Sequence, residues 1–329
     1  MNKILTISIA AYNVDKYLEK TLSSLIIKNI NKIEVLIQND GSNDDTYKIA
    51  KKYADRYPGV FILNNKDNGG YGSTINESIK MASGKYFKQL DGDDWYETEN
   101  LNRFVEYLEN IDVDLVLSPF LEIYENSGHK KIINSNPNVS SGSNSIEKCD
   151  ITDDILMHEL TIKTSMLKEN NISISENCFY TDNEYTFMPL SVSNTIARFD
   201  KPIYCYRLGV EGQSVSISGI RKHYKDTYVV AKKLYKQYSS LDLESIGKVK
   251  KTILYNKILK ITDVLYNSYV LLDDSKFSKI KLKDIDLEIK SKYHNIYIMT
   301  NKIKKVKLLR TTDFKFYGIV KFVSKKKFK

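Results

Sequence analysis

The feature that most constrains this chain is an alternation of strand-like and helix-like segments over residues 4–120. Short β-branched runs end in polar turns and are separated by stretches with apolar residues at helical spacing. Strands separated by helices predict an α/β fold with a mostly parallel, doubly wound sheet and flanking helices. The predicted strands are 4–11, 33–38, 59–63 and 85–90, and the clearest helices are 15–26 and 73–83.

Three carboxylates follow the fourth predicted strand: Asp91, Asp93 and Asp94, in the sequence LDGDDW. Two explanations are open, because like charges this close repel one another. The cluster forms a solvated turn, where Asp and Gly are common, or it holds a cation, which carboxylate oxygens favour. The loops around Tyr12, Asp40 and Asp91 all follow strands, at the edge of the predicted sheet where ligands bind. This placement favours the cation.

The positive charge of the chain is concentrated at its C-terminus. Residues 279–329 contain 16 Lys and Arg against 4 Asp and Glu, a net charge of +12, while the whole chain carries +9. The first 278 residues therefore have a net charge of −3, which argues against a nucleic-acid-binding protein. A hydrophobic fraction of 42% with 28% charged residues is typical of a soluble, core-forming protein.

The sequence also indicates the cellular compartment of the protein. No apolar run reaches the ~18–20 residues that span a bilayer. The N-terminal MNKILTISIAAYN alternates apolar and polar residues without a cleavage pattern, so we interpret it as a first strand. Three dispersed cysteines favour a reducing compartment, and four histidines without helical pairing argue against zinc. We therefore expect a cytoplasmic protein.

Four segments in order resemble bacterial family 2 glycosyltransferases: SIAAYNVDKYLEKTLSSL, EVLIQNDGSNDDT, DNGGYGSTINESIKMASGKYF and LDGDDW. The resemblance is close over residues 4–120 and weaker over 150–220. It implies a GT-A fold, in which a Rossmann-like nucleotide-binding sheet carries an acceptor-binding region. It also implies inverting, metal-dependent transfer of a sugar from a UDP-sugar to a hydroxyl of a glycan or lipid-linked acceptor, in cell-surface polysaccharide or glycoconjugate synthesis.

The domain prediction combines this resemblance with changes of pattern along the chain. Residues 126–150 are polar and rich in Ser and Asn, as in a long loop or an excursion from the fold. Strand-like TIARFD and IYCYRL follow, and from residue 220 the apolar spacing is helical. We predict a catalytic domain over 1–219, with a nucleotide-binding half (about 1–120) and an acceptor-binding half (about 121–219), and a helical, basic region over 220–329.

The donor site is predicted partly from residue chemistry and partly from the resemblance. The small Ala11 leaves space for a flat base, and Tyr12 offers a ring to stack or a hydroxyl to bond. By resemblance, Asp40 accepts a hydrogen bond from the uracil imide. Glycines before a helix let the backbone approach an anion, and the resemblance places Gly70 near the ribose and phosphates.

Asp40 also has an ordinary structural explanation. Ser42 and Asp45 stand in capping-box relation before the second helix, and a turn there needs no ligand. Relatives often carry two acids at this point, and Asn39 stands where the first would be. We predict Asp40 as a ligand of the donor.

By the same resemblance, LDGDDW is a metal-binding D-x-D motif. Breaking the anomeric bond of a nucleotide sugar adds negative charge to the diphosphate, which a divalent ion neutralises. Mg²⁺ or Mn²⁺ suits an oxygen site with few protein ligands. The resemblance makes Asp93 the direct ligand, places Asp91 and Gly92 at the ribose or a metal-bound water, and gives Asp94 a supporting position.

Inverting transfer also needs a general base for the acceptor hydroxyl. In relatives this acid lies in a motif like E-D-x-x-F, and YTDNEYTF is the matching segment, with Asp182 as the base and Glu184 in reserve. Thr181 and Glu184 are also spaced for a capping box, in which Asp182 would complement the helix dipole. The two roles are compatible, since a helix start favours ionised Asp182.

The segment YRLGVEGQSVS resembles one that closes over the diphosphate. Arg207 is predicted to pair with phosphate oxygens, and Gln213 and Ser214 to orient donor or acceptor. His223 could reach the metal, as a C-terminal His does in some GT-A enzymes. A lone His is more often structural, so we leave His223 out of the predicted ligands.

The basic tail ends in YGIVKFVSKKKFK, where apolar residues are interleaved with lysines. A charge run alone is usually a solvated face. The interleaving predicts reversible, peripheral contact with an anionic membrane, to which the five lysines from Lys321 onward would contribute about 1 kcal/mol each. An oligomer is also compatible with the sequence.

Two other functions fit parts of this pattern. A phosphohydrolase that is phosphorylated on the first Asp of D-x-D usually carries the motif after its first strand, followed by Thr or Val. Here the motif follows the fourth strand and precedes Trp95. A non-catalytic nucleotide-sugar-binding subunit of a glycosyltransferase complex would keep Asp40 and Asp93 but would not need Asp182.

Overall fold

The computed structural model describes residues 2–209 and 217–327. Four parallel strands form the first half of its larger sheet, in the spatial order β3-β2-β1-β4. These strands are β1 (Leu5–Ala11), β2 (Ile33–Asp40), β3 (Phe61–Lys66) and β4 (Tyr86–Asp91). The predicted parallel, α/β arrangement of the first 120 residues is confirmed.

Four short strands within residues 2–209 form a second sheet. The second sheet has the order β5-β12-β7-β8, with β5 (Trp95–Tyr96), β7 (Phe120–Tyr124), β8 (Lys130–Ile133) and β12 (Tyr204–Leu208). Cys205 on β12 pairs with Trp95 on β5, which places β12 beside the three acids.

The larger sheet continues beyond β4 as a mixed sheet of eight strands within the described residues. The additional strands are β6 (Leu115–Leu117), β9 (Asn144–Ser145), β10 (Leu160–Lys163) and β11 (Thr195–Arg198). Strand β10 runs antiparallel to both β4 and β6. The long loop or excursion predicted over 126–150 contains two short strands, β8 and β9, which pair with β7 and β11.

Six helices lie among these strands in the part of the chain described up to residue 209: α1 (Asp15–Ser23), α2 (Thr46–Arg56), α3 (Tyr71–Met81), α4 (Thr98–Glu109), α5 (Thr164–Glu169) and α6 (Asp182–Val192). Helix α3 ends at Met81, three residues before Gly84, so this glycine does not close the helix. Gly84 is needed for a close approach instead, since a Cβ there would lie 2.5 Å from the Thr6 nitrogen.

The predicted cap of α2 is also wrong. The Ser42 hydroxyl accepts a hydrogen bond from the Asn13 N–H at 3.1 Å, and Asp44 rather than Asp45 accepts one from the Thr46 N–H, at 3.0 Å. Ser42 therefore joins the loop after β2 to the loop after β1, because its partner is a backbone group 29 residues away.

The C-terminal helices pack onto the sheet. They are α7 (Ile217–Lys222), α8 (Tyr224–Ser240), α9 (Lys248–Val270), α10 (Ser275–Lys292), α11 (His294–Met299), α12 (Lys304–Thr311) and α13 (Tyr317–Lys327). One hydrophobic cluster joins Phe87 and Leu115 of the sheet to Ile258 and Leu309 of these helices. Residues 220–327 are helical as predicted, and they share a core with the sheet. Among the described helices, none is both long enough and apolar enough to cross a membrane.

Candidate active site

The strands β1, β2 and β4 end side by side, so three predicted loops meet at one edge of the sheet. Ala10 pairs with Asp91, and Ala11 pairs with Asn39. The Gly92 N–H donates to the Ala10 carbonyl at 3.1 Å. A Cβ at position 92 would lie 2.7 Å from that oxygen, so only glycine fits without a shift of the backbone. The predicted common edge is confirmed.

Asp94 anchors the acid loop, which we define as residues 91–94. Its carboxylate accepts hydrogen bonds from the Tyr204 hydroxyl at 2.6 Å and from the Arg207 N–H at 2.7 Å. Its carbonyl accepts a third from the Thr21 hydroxyl at 2.6 Å. Burial, followed by the two neighbouring carboxylates, raises the pKa of Asp94 well above its usual value. The predicted supporting position of Asp94 agrees with these contacts.

Asp91 and Asp93 are only half-buried. Asp91 accepts a hydrogen bond from the Tyr71 hydroxyl at 2.7 Å. Burial, followed by the charge of Asp93, raises the pKa of Asp91 to about 7. The charge of Asp182 contributes to this rise and the Tyr71 hydrogen bond opposes it. Burial also raises the pKa of Asp93. A cation between these carboxylates would relieve their repulsion and favour their ionised forms.

His158 joins this cluster, although no sequence signal identified it. One ligand atom each from Asp91, Asp94 and His158 lies within 4.8 Å of the others. The His158 Nδ1 is buried and has no hydrogen-bond partner within 2–209 and 217–327. Burial, followed by the charge of Lys88, lowers the pKa of His158 to about 3, so its ring is neutral and keeps one acceptor nitrogen. His158 stands alone in the mostly apolar run ILMHEL, a pattern that is typical of a histidine buried in the core.

The residues present fit a divalent cation. Asp93, the predicted ligand, is not a member of the Asp91–Asp94–His158 group. The Asp94 carboxylate already accepts hydrogen bonds from the Tyr204 hydroxyl and the Arg207 backbone N–H, whereas Asp93 is half-buried. Carboxylate oxygens are the donors that Mg²⁺ and Mn²⁺ prefer, and the one nitrogen of His158 is compatible with Mn²⁺.

Asp40 lies at the end of β2 and holds the glycine loop, residues 67–70. Its side chain is 4% exposed. One carboxylate oxygen accepts from Lys66 and from the Gly69 N–H at 2.9 Å, and the other accepts from the Gly70 N–H at 2.9 Å. A carboxylate has about four acceptor directions, so about one remains for the predicted contact with the base.

The ends of β1 and β2 present an exposed ring and a buried hydrogen-bond acceptor at this edge. Tyr12 is 49% exposed, while Ala11 is fully buried. The Asn39 amide donates to the Asn65 oxygen at 2.5 Å. The Asn39 oxygen is buried and has no partner among the described residues. Buried acceptors are normally satisfied, so this one suits a ligand N–H.

The glycine loop also contacts residues 175–177, which belong to the half of the domain predicted to bind the acceptor. Gly70 has φ +78°, a region that favours glycine, and a Cβ there would lie 3.1 Å from the Asn177 nitrogen. The Asn177 N–H donates to the Gly69 carbonyl at 2.7 Å. At position 72 a Cβ would overlap the Ser175 carbonyl, at 2.0 Å. Glycines here therefore allow residues 175–177 to pack against the loop that precedes α3.

Arg207 braces the acid loop. It is almost fully buried, and its Nε donates to the Asp93 carbonyl at 2.7 Å while its guanidinium pairs with Glu125. The guanidinium carbon lies 4.6 Å from the centre of the Tyr17 ring and 4.9 Å from that of Trp95. The predicted pairing with phosphate stays a prediction, and phosphate would compete with these contacts.

Asp182 begins α6, and its side chain is exposed to solvent. The surrounding protein raises its pKa, against the opposing charges of Lys260 and Lys257. Its charge raises the pKa of Asp91, so the two carboxylates share one electrostatic site. Tyr180, two residues earlier, has φ +65°, which is rare for a tyrosine and typical of constrained sites.

Glu184 is placed differently. Its side chain is fully buried, and one oxygen accepts from the Ser175 N–H at 2.8 Å and from Lys233 at 2.7 Å. The predicted capping box with Thr181 is wrong, because Glu184 is bonded to these distant groups and Thr181 makes no cap hydrogen bond. A buried, ion-paired Glu184 cannot meet an acceptor hydroxyl without rearrangement, whereas Asp182 can.

Two remaining predictions concern residues on either side of the predicted domain boundary at residue 219. Gln213 and Ser214 lie outside the described residues. His223 stacks on Phe179 with ring centres 3.5 Å apart, and its Nδ1 lies 3.5 Å from Asp226. These contacts agree with the structural role that kept His223 out of the predicted metal ligands.

Sequence comparisons identify similar proteins. The sequence model of Glycosyl transferase family 2 matches residues 6–168. An uncharacterized glycosyltransferase of Haemophilus influenzae is 23% identical over 325 residues, which cover 93% of this chain and 98% of the relative. The minor teichoic acid biosynthesis protein GgaB of Bacillus subtilis is 28% identical over 285 residues, covering 83% of this chain but 29% of GgaB.

Two solved structures are similar to the whole chain. Residues 1–349 of S. aureus TarS, in complex with UDP-GlcNAc, align with a TM-score of 0.56 at 18% identity and cover 92% of each chain. The mannosyltransferase PcManGT of Pyrobaculum calidifontis, in complex with GDP-Man and Mn²⁺, aligns with a TM-score of 0.53 at 14% identity. That alignment covers 95% of this chain and 88% of PcManGT. At these identities the likeness concerns the fold.

Proposed function

Because this chain belongs to glycosyl transferase family 2, we propose that it is an inverting hexosyltransferase that uses a UDP-sugar and a divalent metal ion. It transfers the sugar to a hydroxyl of a glycan or lipid-linked acceptor. One observation carries the proposal: Asp91, Asp94 and His158 bring one ligand atom each within 4.8 Å of the others at the carboxyl edge of the sheet. The glycine loop that Asp40 holds lies at the same edge.

In this proposal the donor binds across the ends of β1, β2 and β4. Tyr12 stacks on the base or bonds to it, beside Ala11, and the last acceptor direction of Asp40 receives the uracil imide. Gly70 lets the backbone approach the ribose and phosphates. Asp93 would hold Mg²⁺ or Mn²⁺ directly, Asp91 would face the ribose or a metal-bound water, and Asp94 orients the loop through its hydrogen bonds to Tyr204 and Arg207. The bound ion supplies positive charge where the leaving diphosphate becomes more negative.

Asp182 is the proposed base. A carboxylate with a raised pKa is a better proton acceptor near neutral pH. The surrounding protein, which reduces the solvation of the charged form, raises the pKa of Asp182 although its side chain reaches solvent. It takes the proton of the acceptor hydroxyl as that oxygen attacks the anomeric carbon from the side opposite the diphosphate. The configuration at the anomeric carbon is inverted by this single displacement.

Similar proteins support the donor and the process. TarS was solved with UDP-GlcNAc and PcManGT with GDP-Man and Mn²⁺, and GgaB is named for minor teichoic acid biosynthesis. We propose a UDP-sugar for this chain because Asp40 is available to the uracil imide, and a surface polysaccharide or glycoconjugate as the product. We further propose a cytoplasmic protein whose basic tail contacts the inner face of the membrane.

Hydrolysis of UDP-sugars in the absence of acceptor tests the chemistry. UDP-glucose, UDP-galactose and UDP-N-acetylglucosamine would be compared with Mn²⁺ and with a chelator present. We expect metal-dependent release of UDP from at least one donor, lost in Asp93→Ala. Donor binding without turnover of any sugar, with or without candidate acceptors, would indicate the non-catalytic nucleotide-sugar-binding alternative.

A competition experiment tests the nucleobase. UDP should displace a fluorescent UDP analogue at lower concentration than GDP or ADP, because only uracil presents the imide hydrogen in the proposed position. Equal competition by all three nucleotides would reduce Asp40 to its observed role of holding the glycine loop.

A further inference from the structure

Helix α13 has apolar residues on two opposite sides. Tyr317 and Val320 face the core and are buried, and the Tyr317 hydroxyl forms a 2.8 Å hydrogen bond with Ser278 on α10. The opposite side exposes between 45% and 61% of four large apolar residues: Phe316, Ile319, Phe322 and Val323. Their spacing of three and four residues places them on one helical face. Packing against the protein therefore explains only one side of α13.

Lysines border this exposed face, and their placement corrects the sequence prediction. Lys321 is buried, and it donates to the Ser275 hydroxyl at 2.7 Å and to the Asp273 carbonyl at 3.1 Å. It is thus a structural residue and is not available to a membrane. Lys315 and Lys326 are exposed. Lys326 lies over the Phe322 ring at 4.7 Å, so charge and apolar surface share one face.

The neighbouring helix α10 lies against the inner side of α13, which it contacts through Ser275 and Ser278. Phe277 and Ile280 of α10 are 40% and 52% exposed, but helical spacing turns them away from α13. The outer face of α13 is therefore a separate apolar cluster. Clusters of exposed large apolar residues are uncommon on soluble surfaces and mark sites of interaction.

From this arrangement we infer that the outer face of α13 (Ile319, Phe322 and Val323, with Phe316 immediately before the helix) binds the surface of an anionic lipid bilayer. Helices that lie in the membrane interface combine an apolar face with basic residues in this way. The inference rests on the proposed membrane contact of the tail but not on the proposed chemistry, and it names the surface and the residues that enter the interface.

The charge of this region favours a bilayer over a second copy of the chain. Residues 279–329 have a net charge of +12. Two such regions placed face to face would repel each other, whereas anionic headgroups would neutralise them.

Sedimentation with lipid vesicles tests this surface on the full chain without substrates. The vesicles are pure phosphatidylcholine, or phosphatidylcholine mixed with phosphatidylglycerol, at low and at high salt. Ile319→Ser/Phe322→Ser removes apolar surface without changing charge, and Ile132→Ser, at a position 60% exposed on β8, is the matched control. Circular dichroism and UDP-sugar hydrolysis without vesicles verify that each variant is folded and active.

We expect binding to phosphatidylglycerol vesicles that salt weakens, and little binding to pure phosphatidylcholine. The double variant should bind about tenfold more weakly, while Ile132→Ser binds like the parent. Parent protein that stays in the supernatant at low salt, or a double variant that binds as well as the parent, would overturn the inference. A dimer that the double variant abolishes, without vesicle binding by the parent, would assign the face to a second copy. Retained hydrolysis in these cases would leave the proposed chemistry standing.

Discussion

The hydroxyl of Tyr204 donates a 2.6 Å hydrogen bond to Asp94, across 110 positions of the chain. The same hydroxyl accepts a 3.3 Å hydrogen bond from the Asp91 N–H. Tyr204 is buried on β12, so the second sheet holds both ends of the acid loop. The geometry of the proposed metal site thus depends on a strand that follows the motif by more than 100 residues.

Tyr204→Phe should lower the free energy of unfolding by about 1–3 kcal/mol, because it leaves a buried carboxylate with one hydrogen bond fewer. Urea denaturation at an unchanged slope would measure this loss. Tyr12→Phe, which alters an exposed hydroxyl, should stay within about 0.5 kcal/mol of the parent. Equal stability of Tyr204→Phe and the parent would contradict the anchoring role.

Asp93→Asn should abolish Mn²⁺ binding in the presence of UDP, because it removes the charge of the proposed direct ligand while keeping the side chain's shape. Isothermal titration calorimetry would measure the metal affinity. Asp45→Asn is the matched control, since the Asp45 side chain is 70% exposed near the N-terminus of α2. Unchanged Mn²⁺ affinity in Asp93→Asn would sink the assignment and leave Asp91, Asp94 and His158 as the candidates.

Asp182→Asn should reduce sugar transfer by roughly 10²–10⁴-fold while UDP-sugar binding persists, because the amide cannot accept the acceptor's proton. Glu184→Gln is the informative comparison. It should lower stability, since Glu184 is buried and paired with Lys233, and affect transfer less. A Glu184→Gln enzyme that is stable but inactive, beside a nearly normal Asp182→Asn enzyme, would exchange the two roles.

Gly92→Ala should lower both stability and donor hydrolysis, because its Cβ would lie 2.7 Å from the Ala10 carbonyl and displace the acid loop. Gly318→Ala is the contrast. A Cβ there would meet no described atom within 4 Å, and the residue lies in α13, so stability should rise by about 0.5–1 kcal/mol. Thermal unfolding of both variants would check the pair, and a neutral Gly92→Ala would contradict the close approach.

The pKa of Asp91 predicts a pH dependence. It rises from 3.8 to about 7 in the folded protein, chiefly through burial. Between these values the folded protein holds a proton that the unfolded chain has released, so this carboxyl makes stability fall as pH rises from about 4 to about 7. Asp91→Asn should flatten the curve and gain stability relative to the parent as pH increases. Parallel curves, measured by urea denaturation across this range, would refute the raised pKa.

Local patterns predicted the strands and helices of the first 120 residues because each segment carries its own periodicity. They also placed Asp40 and Asp91 at one edge, since parallel strands end together. The GT-A-type architecture implied by the resemblance is confirmed by this fold and by its likeness to TarS. The extent of the site beyond these loops depended on contacts that no local pattern contains.

Both predicted capping boxes failed for one physical reason. Ser42 and Glu184 have the right spacing for local caps, but packing offers each a better-placed distant partner. Ser42 bonds to the Asn13 backbone and Glu184 to Lys233. Side chains at helix starts form whichever hydrogen bonds the surrounding structure makes available, and sequence spacing measures only the local ones.

The amino-acid sequence by itself determined the α/β order of elements, the acids at the end of β4, the glycine loop and the basic tail, because these features reside in neighbouring residues. Tertiary structure alone decided that Tyr204 and Arg207 form hydrogen bonds with Asp94 and that His158 lies beside the acids. It also placed Asp182 where its charge acts on Asp91. It also decided that Lys321 is buried while Phe322 is exposed. Such relationships depend on which distant segments pack together, and burial and charge at the site follow from that packing.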